Sequence, residues 1–262
     1  MTSATEDRTN PAPPVWHEAE LANPHASEEK ASKVRSMFAA IARSYDLNNR
    51  VHSLWFDQAW RRHAVRSAGV RPGETVLDVA CGTGDLTEAF AARSPASEVI
   101  GVDFTPEMLE IARTKQAARK PGVAGKIRYQ QGDAMALDFP DASVDVVSIA
   151  FGIRNVQDPA KAIGEFARIL RPGGRLVILE FDTPRAAPVR WFNAWYCGWL
   201  MPRTATLLAG DRSGAYRYLP KSVGSFMPRE RMLETIRSCG FDNASVRSLS
   251  LGLCACYRAE RA

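Results

Sequence analysis

The stretch Val76 to Thr87 constrains this chain more than any other. Val-Leu-Asp-Val-Ala-Cys-Gly-Thr-Gly-Asp-Leu-Thr reads as a buried strand, a glycine turn and the start of a helix. A strand that enters a helix through such a turn is the first half of a βαβ unit, and it needs a parallel neighbour. The sequence that follows supplies several. Short β-branched runs at Thr75–Ala80, Glu98–Asp103, Ile127–Gly132, Val144–Phe151 and Arg175–Phe181 alternate with helical patterns that start near Asp85, Pro106 and Asp158. Pro106 and Pro159 sit where a first helical turn begins, after Thr105 and Asp158 as N-cap residues. Near the end, a helix Arg229–Cys239 stops at Gly240. Two strands follow, Ser245–Ser250 and Leu253–Glu260, joined closely enough to be antiparallel. The expectation is an α/β fold with a mostly parallel sheet.

The chemistry of the turn narrows the ligand. Gly82 and Gly84 let backbone approach a bound molecule, and Thr83 adds a hydroxyl and an N–H. A dinucleotide fingerprint wants a third glycine where Thr87 stands, and Asp78 and Asp85 put negative charge on both sides of the turn. Pyrophosphate is poorly served there, which disfavours an NAD-linked reductase. A cationic sulfonium carrying a free amino group is well served. Asp103, at the end of the second strand, is placed for ribose hydroxyls, and Asp133-Ala134, after the third, for an adenine amino group and ring. Taken singly, Asp78, Asp103 and Asp133 also read as cap or turn residues. Carboxylates at three successive strand ends favour a nucleoside site.

Charge and cysteine usage set further bounds. The net charge of +5 is spread without a basic stripe, which counts against nucleic acid. The pair Arg61-Arg62 reads as solvated surface. The five cysteines lack metal-site or redox spacing, so no metal and a cytoplasmic setting are expected. Residues 1–30 carry Pro11, Pro13, Pro14 and Pro24 with no apolar core of a signal peptide, and read as a disordered tail ahead of a single domain over 31–262. Trp191 to Gly210 is largely apolar, but Pro202 and Arg203 argue against a membrane-spanning helix. The segment 185–227 breaks the strand–helix rhythm. Its aromatic part, Trp191–Trp199, reads either as a lid over an apolar substrate or as a core helix.

With these residues in hand, the chain resembles the class I S-adenosylmethionine-dependent methyltransferases, and specifically the menaquinone/ubiquinone biosynthesis C-methyltransferase family. The likeness runs from about Val34 to Tyr257. It is carried by Met37-Phe38, Tyr45-Asp46 and Asn49, the glycine turn, Phe151-Gly152-Ile153-Arg154-Asn155-Val156, Leu170-Arg171-Pro172-Gly173-Gly174-Arg175-Leu176, Glu180-Phe181 and Tyr216-Arg217-Tyr218-Leu219. The resemblance implies a Rossmann-like fold with a seven-stranded sheet, an antiparallel last strand and helices on both faces. It implies S-adenosyl-L-methionine as cofactor, contacted at Thr83, Asp103, Asp133 and Ala134, with Asp78, Gly82 and Gly84 around the turn. Ala150 departs from the serine that often precedes Phe-Gly in the family.

The implied reaction is methylation of a ring carbon of a polyprenyl quinol. Demethylmenaquinol is the first expectation, with a 2-methoxy-6-polyprenyl-1,4-benzoquinol or a non-catalytic cofactor-binding scaffold as alternatives. Arg154 and Asn155 are placed to stabilise a phenolate. The arginine guanidinium stays protonated at neutral pH and cannot accept the proton, so Tyr45 or a water is the candidate relay. A salt bridge from Arg154 to Asp158 is the structural alternative. His52 and His63 are bases by chemistry alone. Trp and Arg in the 185–227 segment also suit transient contact with a membrane surface, peripheral to an otherwise cytoplasmic enzyme.

Overall fold

The parallel strands are apolar on both faces, and this puts them in the middle of the molecule. In β1 (Thr75–Val79), Val76 and Leu77 point to opposite sides of the sheet and both are fully buried. The fold is taken from a computed structural model that describes residues 15–16, 18–200 and 215–262. Residues 1–14 and 17 of the expected tail, and 201–214 of the 185–227 segment, lie outside the described residues.

Elements run in the order α1 (Glu18–Leu21), α2 (Lys30–His52), α3 (Phe56–Ala68), β1, α4 (Asp85–Arg93), β2 (Glu98–Asp103), α5 (Pro106–Ala117), α6 (Pro121–Ala124), β3 (Ile127–Gln131), β4 (Val144–Ala150) and α7 (Pro159–Ile169). They continue with β5 (Leu170–Phe181), α8 (Ala187–Trp195), α9 (Ala215–Gly224), α10 (Arg229–Ser238), β6 (Phe241–Leu249) and β7 (Cys254–Arg261). The seven strands form one sheet in the order β3-β2-β1-β4-β5-β7-β6. β1 to β5 pair parallel, and β7 pairs antiparallel with both β5 and β6. The tight Ser250–Gly252 turn leaves no room for a crossover, which is why β6 and β7 run antiparallel.

One face of the sheet carries Leu77, Val147 and Ile178 against Ile163, Phe166 and Ile236; the other carries Val76, Val146 and Val177 against Trp60, Phe90 and Leu109. The expected strands match the observed ones closely, except that β5 begins at Leu170 rather than Arg175 and β6 at Phe241 rather than Ser245. Asp158 caps α7 as expected, its carboxylate accepting from the N–H groups of Ala160 and Lys161. Thr105 precedes α5 without a side-chain capping bond.

The described part of the expected tail is packed, which corrects the reading of an unpacked segment through residue 30. Trp16 is 2% exposed and stacks on Tyr218 at 4.9 Å, and Leu21 is buried beside Met37 and Ile41. Proline-rich composition hid one large aromatic whose burial offsets the entropy of ordering its neighbours.

Candidate functional site

A cleft opens at the carboxyl ends of β1, β2, β3 and β4, where the strand order reverses direction and ligands of open α/β sheets sit. It holds about 810 Å³ of space, part of it open to solvent. On leaving β1, the backbone turns through Ala80 (φ 51°), Gly82 (φ 57°) and Gly84 (φ 83°). The two glycines do different work. A side chain at Gly82 would meet only the Tyr45 ring, at 4.0 Å, so this face is open to a ligand. A Cβ at Gly84 would come within 2.1 Å of the Tyr129 hydroxyl, so Gly84 is required by packing on β3 and not by the cleft.

Of the seven cofactor residues expected from sequence, Gly82, Asp103, Asp133 and Ala134 line the cleft. Asp78, Thr83 and Gly84 are used internally. Asp78 is 1% exposed; its oxygens accept from the hydroxyls of Thr87 (2.7 Å) and Ser148 (2.8 Å), tying α4 and β4 to β1. Burial raises its carboxyl to about 6, against the opposing pull of those two hydroxyls. The Thr83 hydroxyl donates to Asp46 at 2.5 Å, within a network in which Lys115 binds both Asp46 and Asp85.

Asp103 clamps the turn and faces the cleft at once. Oδ2 accepts from the Gly82 N–H (2.7 Å) and Oδ1 from the Thr105 N–H (2.8 Å). Each oxygen keeps a further lone pair for a ligand hydroxyl. Burial pushes its carboxyl above the ordinary value, and the Thr105 and Gly82 N–H groups work against that push. Asp133 is held by the Met135 N–H at 2.9 Å. Phe104, half exposed at the cleft edge, lies under the Arg35 guanidinium at 5.4 Å, with Val34, Phe38 and Met108 on the apolar walls. Sequence reading missed Phe104 and Arg35; the position of Phe104 directly after Asp103 was the available signal.

The other wall is built by the residues after β4. Phe151 takes a left-handed φ of 57°, and Asn155 folds back so that its Nδ2 donates to the Phe151 carbonyl (3.2 Å) while its Oδ1 accepts from the Tyr218 hydroxyl (2.9 Å). Asn155, Phe151, Ala150 and Tyr45 all line the cleft. Burial raises the Tyr45 phenol above its ordinary value while the Arg61 charge pulls it down, so the side chain is a neutral hydrogen-bond donor at neutral pH.

Arg154 is not where the sequence reading puts it. Its side chain is 4% exposed and does not line the cleft, with Nη1 donating to Glu180 (2.6 Å) and to the Phe151 carbonyl (2.8 Å), and Nε to Ser222 (3.4 Å). β4 and β5 are neighbours in the sheet, and this brings Glu180 closer than Asp158, which is occupied as the cap of α7. The charge is paired with Glu180 inside the fold. His63 Nε2 pairs with Ser67 on α3, and the His52 carbonyl accepts from the Tyr196 hydroxyl at 3.2 Å; neither histidine lines the cleft.

The aromatic segment is not a core helix. Trp191 is 75% exposed, and Phe192, Trp195 and Trp199 are about half exposed along α8 and the wider turn Tyr196–Leu200 that continues it. Trp195 stacks on Trp199 at 5.9 Å. The Tyr196–His52 contact brings this stripe to the corner that carries the exposed Leu54, Trp55 and Phe56. No described residue of 185–227 lines the cleft. No helix among the described residues is long and apolar enough to cross a membrane.

A sequence model described as the ubiE/COQ5 methyltransferase family matches residues 26–261. The chain is 41% identical over 234 residues to a demethylmenaquinone methyltransferase of Deinococcus radiodurans, covering 89% of this chain and 95% of that one. It is 43% identical over 225 residues to one from Thermus thermophilus, covering 86% and 100%. A ubiquinone/menaquinone biosynthesis C-methyltransferase UbiE of Geotalea daltonii is 40% identical over 234 residues, covering 89% and 98%. Among solved structures, an S-adenosylmethionine-dependent methyltransferase from Thermotoga maritima aligns with a TM-score of 0.61 at 20% identity, covering 87% of this chain and 100% of that one. The [4+2]-cyclase SpnF aligns with a TM-score of 0.63 at 17% identity, covering 88% and 96%. A cyclase on this scaffold means that the fold alone does not assign the reaction.

Proposed function

The chain belongs to the ubiE/COQ5 methyltransferase family, and from that premise we propose that it methylates a ring carbon of a polyprenyl quinol, demethylmenaquinol first, with S-adenosyl-L-methionine as donor. The observation that carries the reading is the cleft at the sheet's switch point, with Gly82 open and Asp103 and Asp133 at successive strand ends. This donor set fits the cofactor: Asp103 for the ribose hydroxyls, Asp133 and Ala134 for adenine, and acidic surroundings in place of phosphate-binding groups. When bound, S-adenosyl-L-methionine supplies an electrophilic methyl group on a positively charged sulfur.

The protein's part is to hold the acceptor ring beside that methyl and to manage two protons, one from the ring hydroxyl and one from the carbon that gains the methyl group. Tyr45, a neutral phenol on the cleft wall, orients or relays the first. Asn155, fixed by the Phe151 carbonyl and Tyr218, presents its amide beside it. Arg154 acts through the Phe151–Asn155 turn that it ties to Glu180, as a positioning residue. The 185–227 segment receives the isoprenoid tail. Its exposed tryptophans and the Leu54–Phe56 corner support transient docking on a membrane surface, where such a tail resides. The enzyme is then cytoplasmic and peripheral to the bilayer.

Incubation with demethylmenaquinol and methyl-labelled S-adenosyl-L-methionine should place label on a ring carbon, and a tail-free naphthoquinol should react poorly. Label on a hydroxyl oxygen would reject the proposed chemistry. The Geotalea relative's joint name keeps a 2-methoxy-6-polyprenyl-1,4-benzoquinol in view. Offered both acceptors in competition, the enzyme should favour the naphthoquinol. Trp191→Ser with Trp195→Ser should reduce co-sedimentation with phosphatidylglycerol vesicles, and unchanged sedimentation would remove the membrane role.

A further inference from the structure

Three arginines are buried among the described residues, and they are not equivalent. Arg154 donates to Glu180, to the Phe151 carbonyl and to Ser222. Arg175 binds Glu74 and the carbonyls of Ala68 and Gly69. Arg61 is 7% exposed and makes no hydrogen bond within the described residues; its Nε is enclosed without a partner. The carboxylate oxygen it approaches, on Asp57, stays 3.9 Å away. A buried guanidinium whose Nε–H is enclosed without a hydrogen bond, and whose ion pair to Asp57 is long, is costly and has room for a closer anionic partner.

The surrounding carboxylates feel the Arg61 charge but take their hydrogen bonds from other groups. Asp57 accepts from Ser53 and Gln58, Asp85 from Lys115 and Gln58, and Asp78 from Thr87 and Ser148. Arg61 does not itself line the cleft but packs behind its wall. Its guanidinium carbon lies 5.3 Å from the centre of the Phe151 ring, and its charge acts on Tyr45. Both residues line the cleft.

We propose that Arg61 is the anion-binding residue of this cleft, its guanidinium meeting a carboxylate or phenolate oxygen that a bound molecule brings. The inference rests on the function proposed above, which offers two sources of that oxygen: the α-carboxylate of the cofactor and the ionised ring hydroxyl of the acceptor. A planar fork of donors suits either, and methionine is the nearest apolar match to its length.

The test compares wild type, Arg61→Lys and Arg61→Met by calorimetric titration with S-adenosylhomocysteine and with its decarboxylated analogue, alongside kcat and KM for demethylmenaquinol. If Arg61 holds the cofactor carboxylate, wild type should prefer S-adenosylhomocysteine over the analogue by about 10- to 100-fold, Arg61→Met should bind the two alike, and Arg61→Lys should keep part of the preference. If it holds the phenolate, that preference should be the same in all three proteins. In that case kcat should fall about 100-fold in Arg61→Met with little change in KM, and Arg61→Lys should recover part of it. An Arg61→Met protein with wild-type preference and wild-type kcat would overturn the proposal, as would losses that track a lowered melting temperature and are not relieved by lysine. A wild type that binds no S-adenosylhomocysteine would overturn the cofactor reading as well, so the two failures are distinguishable.

Discussion

Arg154 and Arg61 cap the two ends of one aromatic pair, and the regions around them behave in opposite ways. Phe151 and Phe181 lie 4.5 Å apart; Arg61 sits over the first ring and Arg154 over the second, each at 5.3 Å. Around Arg154 every partner is internal: a carboxylate on β5, a carbonyl after β4 and a hydroxyl on α9. Around Arg61 no hydrogen bond forms among the described residues, the ion pair to Asp57 is long at 3.9 Å, and the cleft-lining Phe151 is adjacent. A buried charge that is fully hydrogen-bonded serves the fold, whereas one paired only at long range beside a ligand cleft is poised for a charge that arrives with the ligand. The sequence invited the reverse reading, because Arg154 lies in the motif and Arg61 in a short basic pair.

Stability gives the sharpest contrast. Arg154→Leu leaves Glu180 buried and unpaired and should cost about 3–5 kcal/mol by urea unfolding. Arg154→Met combined with Glu180→Leu should recover most of it. Arg61→Met removes only a long ion pair from Asp57, which keeps its bonds to Ser53 and Gln58, and should cost less; equal losses would erase the distinction between the two arginines.

Asp78 offers a pH test of the same region. Its carboxyl is protonated up to about pH 6 in the fold but ionises near 3.8 in the unfolded chain. Folding is therefore favoured by this group at low pH, and the contribution, about 3 kcal/mol at most, is lost as pH rises from about 4 through 6. Asp78→Asn should abolish that slope. Arg61 lowers the Asp78 carboxyl, so Arg61→Met should move the window to higher pH.

Effects on binding should be smaller. Asp103→Ala should weaken S-adenosylhomocysteine by about 1.5–3 kcal/mol by calorimetry, the range for a hydrogen bond to a charged group. On the Arg154 side, Tyr218→Phe removes one neutral hydrogen bond to Asn155 and should cost about 0.5–1.5 kcal/mol of stability. Because Tyr218 reaches the cleft only through Asn155, kcat should fall while cofactor affinity holds.

Strand ends, helix starts and the carboxylates that close β2 and β3 were legible in the chain. Hydrophobic alternation, N-cap chemistry and glycine turns act between residues a few positions apart. Asp103 and Asp133 face the cleft because they end their strands, and a parallel sheet puts its strand ends on one side. What the tertiary structure decided is which distant group each side chain meets. Glu180 reaches Arg154 because β5 lies next to β4, and the Tyr129 hydroxyl reaches Gly84 because β3 and β1 flank β2. Trp16 finds Tyr218 across some two hundred residues, through burial that no local window contains. Arg61 is left without a hydrogen bond among the described residues for the same reason: charge pairing in the interior is settled by packing after the strands are in place, and a sequence shows only that a charge is present.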